Sequence, residues 1–437
     1  MLGLTKKKGW LRGDMAIWSI LIMLCLISIV EVYSASSNMS YSNGKYWSPV
    51  IQHSFLLCLA LALAWLTHIT NLGIIKLALF LLYPVSLILL VVVLITGRDV
   101  NGAARFIPVL GITFQPSELA KLCLIGAASL ILSIGYDKEK RQTGKKYFWW
   151  LIGFTLLTCA LIFTENLSTA VIIALVMVVL AWIASPPRKL FYGVCLGVGA
   201  LALAGYLGLK SVPDDMSERL QGTSLHRYAT WIHRVKSHTK LPKDPQDYDI
   251  YENVQVTHAH IAVATGGLLK GRGIGQSVER DFLPQAYSDF IYAIIIEEGG
   301  LIWGIVVMAL YLLLLYRCIR IARRCKNKYP AYLVMGIGLM LVTQAMVNMA
   351  VAVGAMPVTG QTLPLISKGG TSVLISGISI GIILKVSYGA KRIETYTTPE
   401  GLKMDSRGFS EAIPTEQSVT GEGLNEATPE MPEPLTV

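Results

Sequence analysis

The chain has 437 residues, of which 53% are hydrophobic and 15% charged, and its formal net charge is +10 at pH 7. With a mean hydropathy of +0.54, this composition excludes an ordinary soluble globular protein and indicates an integral membrane protein. The positive charge is divided among short clusters between apolar runs, so nucleic acid is not an expected partner.

Apolar runs long enough to cross about 30 Å of hydrocarbon follow one another along the chain. They begin near Ala16, Ser54, Ile75, Leu119, Trp149, Ala170, Leu190, Phe290, Ala331 and Ser372. The sequence therefore predicts an all-α integral membrane protein with about ten transmembrane helices. A long extracytoplasmic loop, residues 211–288, is predicted between helices 7 and 8.

Clusters of Lys and Arg alternate with the apolar runs and predict the orientation of the chain. They lie at residues 5–12, 137–146, 186–189, 317–328 and 390–394. Because positive loops stay on the cytoplasmic side, both termini are predicted to be cytoplasmic. The predicted parts are an N-terminus (1–13), a transmembrane domain (14–396) and a disordered tail (397–437) rich in Pro, Glu, Thr and Gly.

The cysteines show no CxxC or His/Cys spacing, so no metal site is expected from their pattern.

Polar residues gather in the segments predicted to face outward, beginning with "GRDVNGAARFIPVLGITFQPSELAK" (97–121). Arg105 sits among helix-breaking residues, where a guanidinium can bind a phosphate in a bidentate manner. Glu118 and Lys121 are three residues apart on a predicted helix and can pair. That pair fits either a buried ion pair that orients the helix or a contact with substrate.

Further outward segments also carry cations. Residues 226–240 predict an amphipathic helix at the headgroup region, which fits either simple anchoring or binding of lipid phosphates. "ATGGLLKGRGIGQS" (264–277) holds Lys270 but lacks the GK[ST] ending of a P-loop, so a re-entrant turn is expected. "AMPVTGQTLPLISKGGTS" (355–372) brings Lys368 to the same face. Convergent cations predict a site for a polyanion attached to lipid.

Carboxylates stand at unusual places in "YSDFIYAIIIEEGG" (287–300). Asp289, at the head of the apolar run, fits either a general base for a sugar hydroxyl or a helix N-cap. In one continuous helix, Glu297 would lie roughly 12 Å deeper than Asp289. There it would need a partner, a proton or a wet cavity, as in a transporter, or a helix hinge before Gly299 and Gly300.

Three blocks together resemble the signature blocks of the SEDS family (shape, elongation, division and sporulation). They are "NGAARFIPVLGITFQPSELAK", "GGLLKGRGIGQSVERDFLPQAYSDFIYAIIIEEGG" and "PVTGQTLPLISKGGTS", and the similarity covers about residues 14–392. The compact spacing of "GIGQS" resembles FtsW-like division members more than RodA-like elongation members.

The resemblance implies a ten-helix peptidoglycan glycosyltransferase of the bacterial cytoplasmic membrane, active at the division site. Such enzymes polymerise lipid II, release undecaprenyl pyrophosphate, and work with a class B penicillin-binding protein and other division proteins. A divalent cation, Mg or Mn, is a candidate cofactor. The rival functions that the residues leave open are a lipid II flippase, a RodA-like polymerase and a division scaffold without chemistry.

The resemblance also implies roles for individual residues. Asp289 matches the family's essential outer-face aspartate, and Arg105, Glu118 and Lys121 match its polar cavity residues. Lys270, Ser367 and Lys368 fall in motif positions and join the expected substrate-binding set. The chain departs from the family pattern at Asn166, His258 and Lys368, which stand where an acid, a Gln and a Tyr are common.

Overall fold

The computed structural model describes residues 12–35, 48–96, 98–100, 103–109, 112–163, 166–211, 254–283, 286–395, 403–404 and 410–411. The chain divides into two compact units, Met1–Ala390 and Lys391–Val437. The predicted amphipathic helix at 226–240 and most of the tail predicted to be disordered lie outside the described residues.

Apolar helices make up most of the described chain. Before residue 212 they are α1 (Met15–Ala35), α2 (Ser48–Ile69), α3 (Leu72–Thr96), α4 (Pro116–Ile134), α5 (Lys145–Phe163), α6 (Leu167–Ile183) and α7 (Arg188–Ser211). After residue 253 they are α8 (Val254–Thr265), α9 (Ile291–Gly299), α10 (Leu301–Arg324), α11 (Lys328–Ala352) and α12 (Thr371–Thr395). A 3₁₀ turn, Glu279–Asp281, lies between α8 and α9.

Short strands pair between the helices and after the last one. They are β1 (Arg98–Val100), β2 (Ala103–Val109), β3 (Ile112–Phe114), β4 (Tyr136–Asp137), β5 (Gln142–Thr143), β6 (Lys403–Met404) and β7 (Ser410–Glu411). The first three form an antiparallel sheet in the order β1-β2-β3, and the other strands form two antiparallel pairs, β4-β5 and β6-β7. The β1-β2-β3 sheet joins α3 to α4, so the predicted break in helix after residue 96 is confirmed.

The predicted class, an all-α membrane protein, is confirmed. Within the described residues, 9 helices are long and apolar enough to cross a membrane, and α6 is a shorter apolar helix. The predicted runs coincide with these helices, except for the run that begins at Phe290. That run breaks at Gly300, whose φ of +82° lies in the left-handed region that glycine tolerates, and α10 begins only at Leu301.

Contacts between helix ends define two ends of the bundle in the first unit. At the end we call basic, Arg317 pairs with Asp14 at 2.5 Å. Other contacts at this end are Trp18 with His68, Lys328 with Tyr136, and Thr143 with Ser185. These contacts bring the basic loops 136–144 and 325–328 together with the loop 184–187, which directly precedes Arg188 and Lys189. The opposite end holds the last turn of α1 and the first turns of α4, α10 and α12.

Helix α12 lies very close to α2 because of two glycines. A Cβ atom on Gly377 would lie 2.5 Å from the carbonyl oxygen of Ala60, and one on Gly381 would lie 2.5 Å from that of Ala64. Neither distance leaves room for a methyl group. Close helix approach through small residues is the usual packing device in membranes, where apolar burial alone does not favour association.

We expect Gly377→Ala and Gly381→Ala each to lower the thermal unfolding midpoint of the purified protein, because overpacking costs about 1–3 kcal/mol. Gly389→Ala is the control on the same helix, since the space around Gly389 is open. It should leave the midpoint unchanged or raise it, because alanine favours a helix by about 1 kcal/mol over glycine. Equal effects of all three substitutions would contradict the close packing of α12 on α2.

Candidate functional site

The segment Tyr287–Asp289 is held at the opposite end of the bundle by hydrogen bonds to its backbone carbonyl groups. The Lys368 N–H donates to Tyr287 O at 3.0 Å, and Ser367 Oγ donates to Ser288 O at 2.6 Å. Asn348 Nδ2 donates to Asp289 O at 2.8 Å. The structure therefore brings Ser367 and Lys368 to Asp289, three residues that the sequence predicted for one site.

The side chain of Asp289 is half-buried and accepts a hydrogen bond from Ser288 Oγ at 3.0 Å. Helix α9 starts at Ile291, and its N-cap position is Phe290, whose side chain makes no capping hydrogen bond. Ser288 and Asp289 therefore lie before the N-cap position that the alternative gave to one of them. The carboxylate is positioned by the backbone around it and keeps part of its surface open.

Lys368 lies half-buried against the aromatic ring of Tyr287, with its Nζ 5.2 Å from the ring centroid. Burial lowers the pKa of Lys368 below its usual value of 10.5. Burial, and after it the charge of Asp289, raises the pKa of Tyr287 above 10.0. The tyrosine therefore stays neutral beside the lysine, and the cation contacts the face of its ring.

The predicted pair of Glu118 and Lys121 is confirmed as an ion pair of 2.7 Å on α4, with both residues buried. Lys121 Nζ also donates to Gln344 Oε1 at 2.8 Å, and Gln344 Nε2 donates to Thr362 O at 3.1 Å. The ion pair thus connects, through α11, to the same loop that carries Ser367 and Lys368. It orients helices around the site, whereas a contact with substrate stays a prediction.

A second chain of polar contacts reaches the loop from α6. Asn348 Nδ2 donates to Gln361 O at 2.6 Å, and Gln361 Nε2 donates to Thr169 Oγ1 at 2.8 Å. Asn166, at the N-cap of α6, accepts from the Thr169 N–H at 3.3 Å.

Gln344 and Asn348 were missed by the sequence analysis. Their signal is two amide side chains four residues apart on an otherwise apolar span, since polar groups inside spans mark functional positions.

For two predicted residues, the described part of the chain gives no contact with this network. Arg105 lies on β2, and only its backbone falls within the description. Lys270 is exposed on the glycine-rich turn between α8 and the 3₁₀ turn. Their contacts with substrate stay predictions.

The glycine-rich turn packs against the end of α9, whereas its re-entrant character stays a prediction. The Arg272 N–H donates to Glu297 O at 2.9 Å, and the Gly273 N–H donates to Glu298 O at 3.0 Å. Gly271 is needed there because a Cβ atom would lie 2.1 Å from the Glu298 carbonyl oxygen. The turn therefore pairs, backbone to backbone, with the break before α10.

Glu297 and Glu298 hold this turn in place through their side chains. Glu297 Oε1 accepts from the Val278 N–H at 3.0 Å, and its Oε2 accepts from Ser277 Oγ. Glu298 Oε1 accepts from Ser34 Oγ and from the Ser277 N–H at 3.3 Å. Both glutamates are at most 2% exposed.

Two of the alternatives for Glu297 are confirmed, since the residue has hydrogen-bond partners and the helix breaks at Gly300. Its neighbour Glu298 touches Ser34 in the last turn of α1, at the opposite end of the bundle. The continuous apolar span from Phe290 is wrong, because α10 begins only after Gly300.

His258, one of the departures from the family pattern, braces the same region. Its Nδ1 lies 2.6 Å from Glu279 Oε2, and its ring stacks on Phe282 with centroids 5.2 Å apart. The contacts tie α8 to the 3₁₀ turn.

Comparison with known proteins places these features in a family. The family model described as "Cell cycle protein", for FtsW, RodA and SpoVE, matches residues 14–392. A relative from Coxiella burnetii, named "Probable peptidoglycan glycosyltransferase FtsW", is 31% identical over 88% of this chain and 99% of its own. A relative of the same name from Halomonas elongata is 31% identical over 86% of this chain and 91% of its own.

Solved structures share the fold. A chain from the study "Structural coordination of polymerization and crosslinking by a peptidoglycan synthase complex" matches with a TM-score of 0.65 and 25% identity, over 87% of this chain and 99% of that one. The rod shape determining protein RodA of Thermus thermophilus matches with a TM-score of 0.58 and 24% identity, over 86% and 97%.

We expect Glu297→Gln to speed backbone hydrogen exchange in residues 271–280, because the amide nitrogen that replaces one carboxylate oxygen cannot accept the bonds from the turn. Removing one partner of a buried charged contact costs about 3–5 kcal/mol. Glu139→Gln, an exposed change at the basic end, is the control and should leave exchange in the turn unchanged. Unchanged exchange in Glu297→Gln would contradict the anchoring role.

Proposed function

Since the chain belongs to the FtsW/RodA/SpoVE family of cell cycle proteins, we propose that it is a peptidoglycan glycosyltransferase of the FtsW type. It polymerises lipid II into glycan strands on the outer face of the bacterial cytoplasmic membrane. The names of the relatives support the activity. The observation that carries the proposal is the position of Asp289, in a segment whose backbone carbonyl groups bond Ser367 and Lys368, at the end away from the basic loops.

In the proposed reaction Asp289 acts as general base. It takes the proton from the 4-hydroxyl of the acceptor's GlcNAc, and that oxygen forms a bond to the anomeric carbon of the donor. The bond between this carbon and the pyrophosphate oxygen breaks, and undecaprenyl pyrophosphate leaves with the electron pair. The backbone contacts at residues 287–289 hold the base in place, which is what efficient proton transfer requires.

Lys368 is the cation best placed to stabilise the leaving pyrophosphate. No carboxylate among the described residues lies within ion-pair distance of its ammonium group, so its charge is available where negative charge develops. The charge of Lys121 is already matched by Glu118 at 2.7 Å. Lys121 therefore orients the helices, while Arg105 and Lys270 are proposed as further phosphate contacts.

A divalent cation, Mg²⁺ or Mn²⁺, fits the site only in a bridging role. Within the described residues no group of three or more His, Cys, Asp or Glu side chains could hold a metal ion. Mg²⁺ commonly binds through one carboxylate together with substrate phosphates. Asp289 would supply that carboxylate, and the ion would neutralise charge on the pyrophosphate.

The proposed partner is a class B penicillin-binding protein, with other division proteins at the division site. A structural relative comes from a complex described as coordinating polymerization and crosslinking, and a crosslinking subunit would use the strand that this chain makes. The positions of Lys and Arg support cytoplasmic termini in the cytoplasmic membrane.

We expect Asp289→Asn to lower the rate of lipid II polymerisation by about 10²-fold or more, because loss of a general base costs at least that factor. The assay uses purified protein reconstituted with its class B partner. Asp281→Asn is the control, since Asp281 is exposed and its Oδ1 lies 3.8 Å from Nε of Arg280. Equal rates for wild type and folded Asp289→Asn would show that the base lies elsewhere. Lipid II movement across the membrane without polymerisation would favour the flippase instead.

We expect the polymerisation rate to fall on the alkaline side, because Lys368 has a lowered pKa and loses its positive charge at a lower pH than an exposed lysine. Lys368→Arg should move this fall to higher pH, since the guanidinium stays charged up to about pH 12. The control is Lys140→Arg at the basic end. An alkaline limb that does not move in Lys368→Arg would exclude Lys368 as the titrating group.

A further inference from the structure

Residues 361–368, which we call the re-entrant segment, are not helical although they lie within the bundle. Side chains from three helices donate hydrogen bonds to the carbonyl groups of this segment. Asn348 and Gln344 on α11 donate to Gln361 O at 2.6 Å and to Thr362 O at 3.1 Å. The remaining donors are Tyr311 on α10, to Pro364 O, and Ser28 on α1, to Ile366 O at 2.7 Å. Non-helical backbone inside an apolar bundle is stable only where its polar groups have hydrogen-bond partners.

Leu365, at the centre of this segment, is strained. Its φ is +68°, in the left-handed region that a leucine rarely occupies. The carbonyl groups on either side of it, at Pro364 and Ile366, are the ones that Tyr311 and Ser28 bond. Strained residues persist when their surroundings fix them from both sides, and they cluster at functional sites.

The strained residue lies directly before the part of the segment that meets Asp289. Ser367 Oγ accepts from the Leu363 N–H at 2.7 Å and donates to Ser288 O at 2.6 Å. The Lys368 N–H then donates to Tyr287 O. Any relaxation at Leu365 would therefore move Ser367 and Lys368 relative to the general base.

His53 on α2 completes the anchor. Its Nε2 lies 2.7 Å from Ser28 Oγ, and it is 1% exposed. The single hydroxyl proton of Ser28 goes to Ile366 O, so His53 must donate from Nε2. Its Nδ1 has no hydrogen-bond partner among the described residues. A neutral imidazole with its proton on Nε2 fits this environment, because it carries no N–H at Nδ1 that would need an acceptor.

We propose that Tyr311, Ser28 and His53 are positioning residues for the glycosyl transfer, holding the strained segment so that Ser367 and Lys368 meet Asp289. None of them reaches the Asp289 carboxylate, and they act through the carbonyl groups of Pro364 and Ile366. This role rests on the proposed function. It extends the machinery to α1, α2 and α10, helices whose site role the sequence does not indicate.

The test removes each anchor while keeping its shape. Tyr311→Phe and Ser28→Ala delete only a hydroxyl group, and His53→Leu deletes the donor. His53→Gln keeps an N–H donor near the Nε2 position and serves as the conservative rescue. Each variant, co-reconstituted with the class B partner, is titrated with lipid II to separate kcat from KM.

The chain offers controls for each hydroxyl deletion. Tyr329→Phe alters a buried tyrosine whose hydroxyl has no hydrogen-bond partner in the described part of the chain. Ser129→Ala alters a buried serine whose one hydrogen bond among the described residues goes to Ile125 O of its own helix. Both should leave kcat and KM unchanged.

We expect Tyr311→Phe, Ser28→Ala and His53→Leu to lower kcat about tenfold or more, with KM changed by less than about twofold, because small displacements of reacting groups carry large rate penalties. His53→Gln should recover most of the rate. In the background of Asp289→Asn the same changes should cause little further loss, since groups that act as a unit are not additive. A kcat per folded enzyme equal to wild type in all three variants would overturn the proposal.

Hydrogen exchange of residues 361–368 without substrate separates this inference from the function on which it rests. Faster exchange in the three variants, and not in the controls, supports the anchoring; unchanged exchange overturns it whatever the rates show. If the wild type failed to polymerise lipid II with a bound partner and competent substrate, the proposed function would be wrong. The proposed effect of Tyr311, Ser28 and His53 on kcat would then be wrong as well. The exchange result would still decide whether these residues fix the segment.

Discussion

The structure depends on one constraint, that a peptide group outside a helix must still find a hydrogen-bond partner when it lies within an apolar bundle. Two of the described non-helical segments pack against α9, and they satisfy this constraint with opposite chemistry. The turn at 266–280 presents N–H groups to acceptors, the Glu297 carboxylate and the carbonyl groups that end α9. The segment at 361–368 presents carbonyl groups to donors, which are hydroxyl and amide side chains.

Asp289 lies between these two segments in the chain and in space. Helix α9 starts beside the second segment and ends against the first, so both ends of this short helix are fixed by non-helical backbone. As the proposed general base, Asp289 would need a fixed position and an open face. The carbonyl bonds at residues 287–289 fix the position, and the half-buried side chain keeps the open face.

Hydropathy and charge spacing predicted much of this arrangement. Apolar runs located the helices, and the three-residue spacing of Glu118 and Lys121 predicted their ion pair. The sequence offered a helix hinge before Gly299 and Gly300 as one alternative for Glu297, but it could not exclude a partner or a wet cavity inside a continuous span. Ser277, which contacts both Glu297 and Glu298, lies about twenty residues earlier in the chain, a pairing that no local pattern encodes. Ser28 and Ile366 are 338 residues apart, so their contact follows only from the fold.

Helix α6 has a consequence for the membrane itself. Its 17 residues span about 25 Å, less than the roughly 30 Å of an average hydrocarbon layer. Val171, Leu175 and Trp182 are exposed on this helix, so their side chains face lipid. The helix is therefore shorter than the hydrocarbon layer that it contacts. A bilayer adapts to such a mismatch by thinning locally. Local thinning would bring headgroups and water closer to Asn166 and Thr169. The membrane interface, with any lipid-linked sugar bound to it, would then lie close to the polar network.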